Sequence, residues 1–405
     1  MAPRSLLAGI AIFATAGCGG GGGAPAPSPA PQPTPAEATG RAPADADAIA
    51  TLLRERTLAL DQRDIAAFAG TATGAQRARD RRAIRRTEQI GLERARIASD
   101  ELEIAGDRAR IDLTLSYRLR GMGRPFLSAR KLVARQTPTG WRISRDVAQL
   151  EPLPWEVAAF KVTGAPHLVL LTPPGADPSA LRSGLGDAYR KLRNALPDRK
   201  LPRGVLVIGA RDAAQATRLA GRIARGVVAL ANVSVQYGPP PALAVRRVLA
   251  ERMIVIDSRW RGLPADERLS TLVHELTHTA LNTATSGRTP PWLAEAVALR
   301  VSGDDRAAEA RLRATSAGGG VKLRELCGPN SIFKLDGRAQ GAAYAASSGA
   351  GEAIVERHGT KGLLRLYDAF NDPSIDGRTC AATTDRVLRR TLGMSLAELE
   401  AAVAG

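Results

Sequence analysis

His274-Glu275-Leu276-Thr277-His278 is the stretch on which the reading of this chain turns. Histidines four positions apart lie one turn apart on one face of a helix, so both imidazoles can reach the same ion. Zinc accepts such nitrogens at about 2.0–2.1 Å. The glutamate beside the first histidine then stands close to a water on that ion. It can take the water's proton and later hand it to a leaving amine. The flanks read as helix. Pro264, Asp266 and Glu267 suit a first turn, and Leu269, Leu272, Val273, Leu276 and Ala280 form one apolar stripe. At about 100° per residue, His274 and His278 fall away from that stripe, so the helix is expected to bury one face and turn the other to a cleft. Only four histidines occur in the chain, and this one turn holds two of them.

A catalytic zinc needs a third protein ligand and an open position. No third histidine follows closely. Instead Thr289-Pro290-Pro291 opens a second helix, with a capping hydroxyl and proline at its first position. Trp292-Leu293-Ala294-Glu295-Ala296-Val297-Ala298 continues it, and Glu295 lies 17 positions after His278. An antiparallel helix pair would bring that carboxylate to the metal. A single carboxylate inside an apolar helix needs a partner, and a metal supplies one.

These residues resemble the gluzincin zinc peptidases, and within them the aminopeptidase N-like members, whose zinc helix is followed by a Trp-Leu-x-Glu helix. Trp292-Leu293-Ala294-Glu295 fits that pattern, with Ala296 where the family has glycine. The resemblance covers roughly residues 250–370 and implies that His274, His278 and Glu295 hold zinc and that Glu275 activates water. Relatives carry a tyrosine on a later helix that ends in glycine fifteen residues on, the spacing of Tyr344 and Gly359. The resemblance thus implies that Tyr344 donates to the oxyanion of the tetrahedral intermediate. The family's exopeptidases grip a free amine with a Gly-x-Met-Glu-Asn strand. Arg252-Met253-Ile254-Val255-Ile256-Asp257 lacks it, so exopeptidase specificity is not implied. An edge strand beside the zinc helix could still pair with an extended peptide. His167, at the start of a strand, and His358, at a helix end, read as structural.

Outward from this core the order is a mixed sheet and then helices. Strands are expected at His167–Leu171, Val205–Ile208, near Val233 and at Met253–Ile256, with a helix from about Pro178 to Ala195. That makes residues 157–405 one peptidase-like domain, a mixed-sheet lobe followed by a helical lobe. Glu151–Glu156, with two prolines, reads as the junction. Before it, residues 45–150 read as a smaller α+β domain. Helical spacing over Ile49–Leu60 gives way to period two, where Ile111, Leu113, Leu115, Tyr117 and Leu119 alternate with polar residues. Gly121-Met122-Gly123 turns the chain, and Gly140-Trp141-Arg142-Ile143-Ser144 ends the sheet. This order resembles the cone-shaped fold of nuclear transport factor 2 and ketosteroid isomerase. No polar constellation stands out within it, so a spacer or partner-binding role is expected. The fold class expected for the whole chain is α+β.

The N-terminus reads as an export signal. Arg4 precedes the apolar run Leu6–Ala16, too short to span a bilayer. Thr15-Ala16-Gly17-Cys18 resembles a lipobox, which implies cleavage before Cys18 (residues 1–18 forming the signal and its lipid site) and an extracytoplasmic, membrane-anchored protein, the alternative being simple secretion with cleavage nearby. Gly19 onward to about residue 44 is a Gly- and Ala-Pro-rich linker. Besides Cys18 only Cys327 and Cys380 exist. In an oxidising compartment they are expected to pair, contributing about 4 kcal/mol by loop closure. Lys and Arg number 57 against 40 Asp and Glu, a net charge of +17. The arginines are spread over the whole chain, no basic block carries interleaved aromatics, and nucleic-acid binding is not expected. Three readings stand: a zinc peptidase acting on peptides or proteins, a zinc amidase acting on cell-wall material, and a non-catalytic envelope protein that binds a partner.

Overall fold

The computed structural model describes residues 11–13, 35–123, 125–149, 152–165, 167–201, 203–220, 227–237, 245–281, 285, 288–304, 321–328, 331–332, 334–335, 337–372, 375 and 380–404. Cys18 and most of the expected signal and linker lie outside them. Helices and two sheets make the chain α+β. It divides into two compact units, Thr15–Arg120 with Arg124–Val162, and Thr163–Gly405 with Met1–Ala14 and Gly121–Gly123.

A short strand, β1 (Ala11–Phe13), belongs to the sheet of the larger unit. The smaller unit begins with helix α1 (Pro35–Gln62), so the last ten residues of the expected linker are helical. Pro35 suits a first helical position, and Ala36-Glu37-Ala38 are strong helix formers. Helix α2 (Ile65–Gly70) is capped by Asp64, whose carboxylate accepts from the Ala67 N–H at 2.9 Å. Helix α3 (Gly74–Arg85) follows, and then a four-stranded antiparallel meander: β2 (Leu92–Ala105), β3 (Arg108–Leu119), β4 (Phe126–Thr137) and β5 (Gly140–Ala148). The alternation seen in the sequence is real: Ile111, Leu113, Leu115, Tyr117 and Leu119 are all buried on one face of β3.

That buried face carries a charge cluster that the sequence did not reveal. Arg56 of α1 bonds Asp80 of α3 at 2.7 Å and Asp146 of β5 at 3.1 Å. Arg130 of β4 bonds Asp146 at 2.6 Å and Glu156 at 2.6 Å. Thr71, Gln76 and the Leu153 N–H take up further lone pairs and protons. Glu156 sits on the short helix α4 (Pro154–Val157), which the sequence placed at the domain junction. Its bond to Arg130 draws the segment into the smaller unit, which therefore runs on to Val162. The cavity among these side chains is about 30 Å³, room for roughly one water.

β6 (Lys161–Ala165) crosses the division, and the larger unit continues with β7 (Leu168–Thr172), α5 (Ser179–Ala195), β8 (Val205–Ala210), α6 (Ala213–Ala220), β9 (Ala229–Tyr237) and β10 (Val245–Ile256). The sheet order is β1-β9-β10-β8-β7-β6. β7, β8 and β10 are parallel, whereas β9 is antiparallel to β10, so the sheet is mixed. Met253–Ile256 therefore lies inside the sheet, between β8 and β9, and cannot receive a peptide as an edge. The strand beside the key helix is β9 instead. After it come α7 (Asp257–Arg261), α8 (Ala265–Leu281), α9 (Pro291–Ser302), α10 (Gly337–Ala369), α11 (Cys380–Leu392) and α12 (Leu396–Ala404). Helix α5 shows the amphipathic spacing that buries it, with Leu181, Leu185, Ala188, Tyr189 and Leu192 on one face. A Cβ at Gly184 would come within 3.0 Å of Leu272, so this glycine lets α5 lie close against α8. Helix α10 is broken at Gly359, whose φ of 66° no L side chain adopts readily.

Candidate metal centre

Helix α8 presents His274 and His278, and α9 presents Glu295. Pro291 starts α9 and left-handed Gly303 stops it, which fixes the helix around Glu295. The connection between the two helices is tied to the end of α10. Arg288 donates to the carbonyls of Asp372 and Ile375, both at 2.7 Å, and Thr285 and Tyr367 share a hydroxyl bond of 2.7 Å. The far side of α9 packs on α10, where a Cβ at Gly351 would come within 3.2 Å of the Ala296 Cβ. Small residues at both positions allow that approach.

Three ligand atoms converge. His274 Nε2 is 3.1 Å from Glu295 Oε2, His278 Nε2 is 3.7 Å from the same oxygen, and the two Nε2 atoms are 3.1 Å apart. A tetrahedral ion with bonds of about 2.05 Å requires ligand edges of about 3.3 Å. The triangle matches that size, and its two nitrogens and one carboxylate oxygen are donors that suit zinc. Among the described residues this is the one group of three such side chains able to share an ion. All three are buried: His274 is 1% exposed, His278 5% and Glu295 1%. The expectation of a helix with one open face is thus corrected. From Ser270 to Leu281 every residue of α8 is buried, because β9, α5 and α9 cover it on several sides.

The electrostatics ask for a positive charge at the centre of the triangle. Burial alone would raise the Glu295 pKa, but the imidazoles of His278 and His274 pull it down to about 2. Burial lowers His278 to about 4 against the attraction of Glu295. Burial opposes protonation of His274 as well, yet the bond and charge of Glu295 outweigh it and raise its pKa.

Glu275 is fully buried and its carboxylate accepts from the backbone N–H of Ala231 in β9. The sequence did not reveal this partner, since a main-chain donor leaves no mark in residue identity. Tyr344 is buried in the first half of α10, the part of that helix packed on α9. His167, in a left-handed conformation, stacks on Tyr189 with ring centres 4.6 Å apart. His358 precedes the break in α10 and packs over Gly362. Neither belongs to the triangle.

Cys327 and Cys380 are neighbours but both are free thiols, so the expected disulfide is absent from this structure. The Cys380 thiol donates to the Cys327 carbonyl at 2.6 Å, and the Cys327 sulfur lies 3.3 Å from the Thr384 hydroxyl. Hydrogen bonds occupy both thiols in place of the bond.

No family model matches the chain, and no curated protein matches it. Among solved structures, a protein of unknown function from Mycobacterium tuberculosis is similar at 17% identity over 26% of this chain and 76% of its own, with a TM-score of 0.23. A superposition that loose carries no argument about fold or activity.

Proposed function

We propose that this chain is a zinc-dependent peptidase, exported and held at the envelope by a lipidated Cys18. The observation that carries the reading is the triangle of His274, His278 and Glu295, sized for a tetrahedral ion, with Glu275 beside His274 in the same turn. Zinc bound there would polarise a substrate carbonyl and acidify water. Glu275 takes the proton of the attacking water on its carboxylate and later returns it to the leaving amine. The Ala231 amide fixes the orientation of that carboxylate. Tyr344, by resemblance to the gluzincins, donates its hydroxyl to the developing oxyanion.

The test is a cleavage screen of a peptide library with and without chelator, beside the Glu275→Gln variant. Cleavage should require metal. The variant should keep one zinc per chain and lose hydrolysis. Equal cleavage by parent and variant would refute the mechanism. A second reading rests on the near-complete burial of the triangle. Closed zinc sites are generally structural, which fits a non-catalytic envelope protein that binds a partner. Stoichiometric zinc without cleavage of any peptide or cell-wall amide would favour it.

A further inference from the structure

Helix α3 carries five exposed arginines within nine residues, Arg77, Arg79, Arg81, Arg82 and Arg85. The one acid among them, Asp80, cannot neutralise them. It is 4% exposed, and its carboxylate is taken by Arg56 and Gln76 on the inner face of the helix. None of the five has an ion-pair or hydrogen-bond partner among the described residues. Gln76, Asp80 and Ile84 fix the helix to the core. At 100° per residue the arginines then fan over about 200° of the opposite side, along about 12 Å of axis. The arginines that look evenly spread in the sequence are, on this helix, a rigid convex ridge of uncompensated charge.

We propose that this ridge docks the smaller unit on an anionic phospholipid surface. Guanidinium groups pair with phosphate in bidentate fashion. A convex ridge meets a flat array of headgroups better than it encloses a single small anion. No aromatic side chain is exposed on α2 or α3 to stack on nucleobases, as single-strand binders require. The chain length agrees: 16 residues separate Cys18 from Pro35, a reach of at most about 60 Å. A chain acylated at Cys18 would thus hold the start of α1 within that distance of the bilayer. The proposal is independent of the hydrolase reading.

The experiment is co-sedimentation of the full chain carrying Cys18→Ser, which removes any acyl group, with two kinds of vesicle. One is pure phosphatidylcholine, which reports binding by the apolar run Leu6–Ala16 alone. The other is equimolar phosphatidylcholine and phosphatidylglycerol. Binding should be stronger to the anionic vesicles and should fade at high salt. The triple variant Arg77→Gln, Arg81→Gln, Arg85→Gln should lose about a hundredfold in affinity for them. The matching Lys triple should retain most of it, which separates charge from fold. Arg110→Gln and Arg118→Gln, at exposed arginines already paired with Glu103 and Glu93, should change nothing. Equal binding of parent and Gln triple to anionic vesicles overturns the proposal. So does capture of the parent by duplex DNA or RNA with no preference for anionic vesicles.

Discussion

Two buried charge clusters, one in each unit, follow opposite rules. In the smaller unit Arg56, Arg130, Asp80, Asp146 and Glu156 form a chain of ion pairs in which each charged end meets an opposite one. In the larger unit two imidazoles and a carboxylate crowd onto one point, and the His274 Nδ1 has no partner among the described residues. The first cluster is complete in itself and leaves room for about a water. The second has the shape of a coordination shell. Burial alone therefore does not mark a functional site. What sets the second cluster apart is a set of ligand atoms aimed at a common centre.

The comparison can be broken most sharply at Glu275. Glu275→Gln is expected to reduce kcat by roughly 10²–10⁴-fold with zinc content unchanged by elemental analysis. Next comes His278→Ala, which should abolish stoichiometric zinc binding in equilibrium dialysis while far-ultraviolet circular dichroism stays the same. In the other unit, Arg56→Met should leave zinc binding intact but lower stability by about 3–5 kcal/mol in urea denaturation, because Asp80 and Asp146 lose a shared counter-charge. A similar loss of zinc in that variant would mean the two clusters are not independent.

A smaller effect concerns acid. In the metal-free protein the Glu295 pKa is depressed from 4.5 to about 2, so its contribution to stability is full above pH 4.5 and lost as pH falls toward 2. His278, depressed from 6.5 to about 4, adds stability above pH 6.5 that disappears as pH falls toward 4. His274 is raised, so it acts in the opposite sense, stabilising below pH 6.5 and losing that contribution as pH rises. The histidine windows adjoin at pH 6.5 with opposite slopes, so the melting temperature should fall on both sides of it, the acid-side loss being carried by His278 down to about pH 4 and by Glu295 from 4.5 toward 2. Zinc affinity should instead weaken as soon as pH falls through the raised pKa of His274, since the metal must displace that proton. A melting series with and without zinc, taken across that range, checks both.

The legible parts of this chain were local. The His-Glu-Leu-Thr-His turn, the apolar helix around Glu295 and the alternation of β3 each announce themselves within a dozen residues, because helix and strand periods are written in adjacent positions. The triangle followed from one further assumption, an antiparallel helix pair. The unread parts depended on distant partners. Arg56 meets Asp146 across 90 positions, and nothing in either neighbourhood tells which arginine of many will turn inward. The interior place of β10 depended on β9 returning alongside it, a matter of topology. That Cys327 and Cys380 lie beside each other likewise depends on α11 packing back across 53 positions.

The tie between Glu275 and the Ala231 amide has a mechanical corollary. Along a strand, successive amides point to opposite edges. A slip of β9 by a single residue would swing its donor toward β10 and leave the carboxylate without a brace. The strand's alignment against β10 is thereby a built-in gauge for the Glu275 carboxylate: whatever loosens that seam would be felt first as a misaimed side chain beside the triangle, before His274, His278 or Glu295 moved.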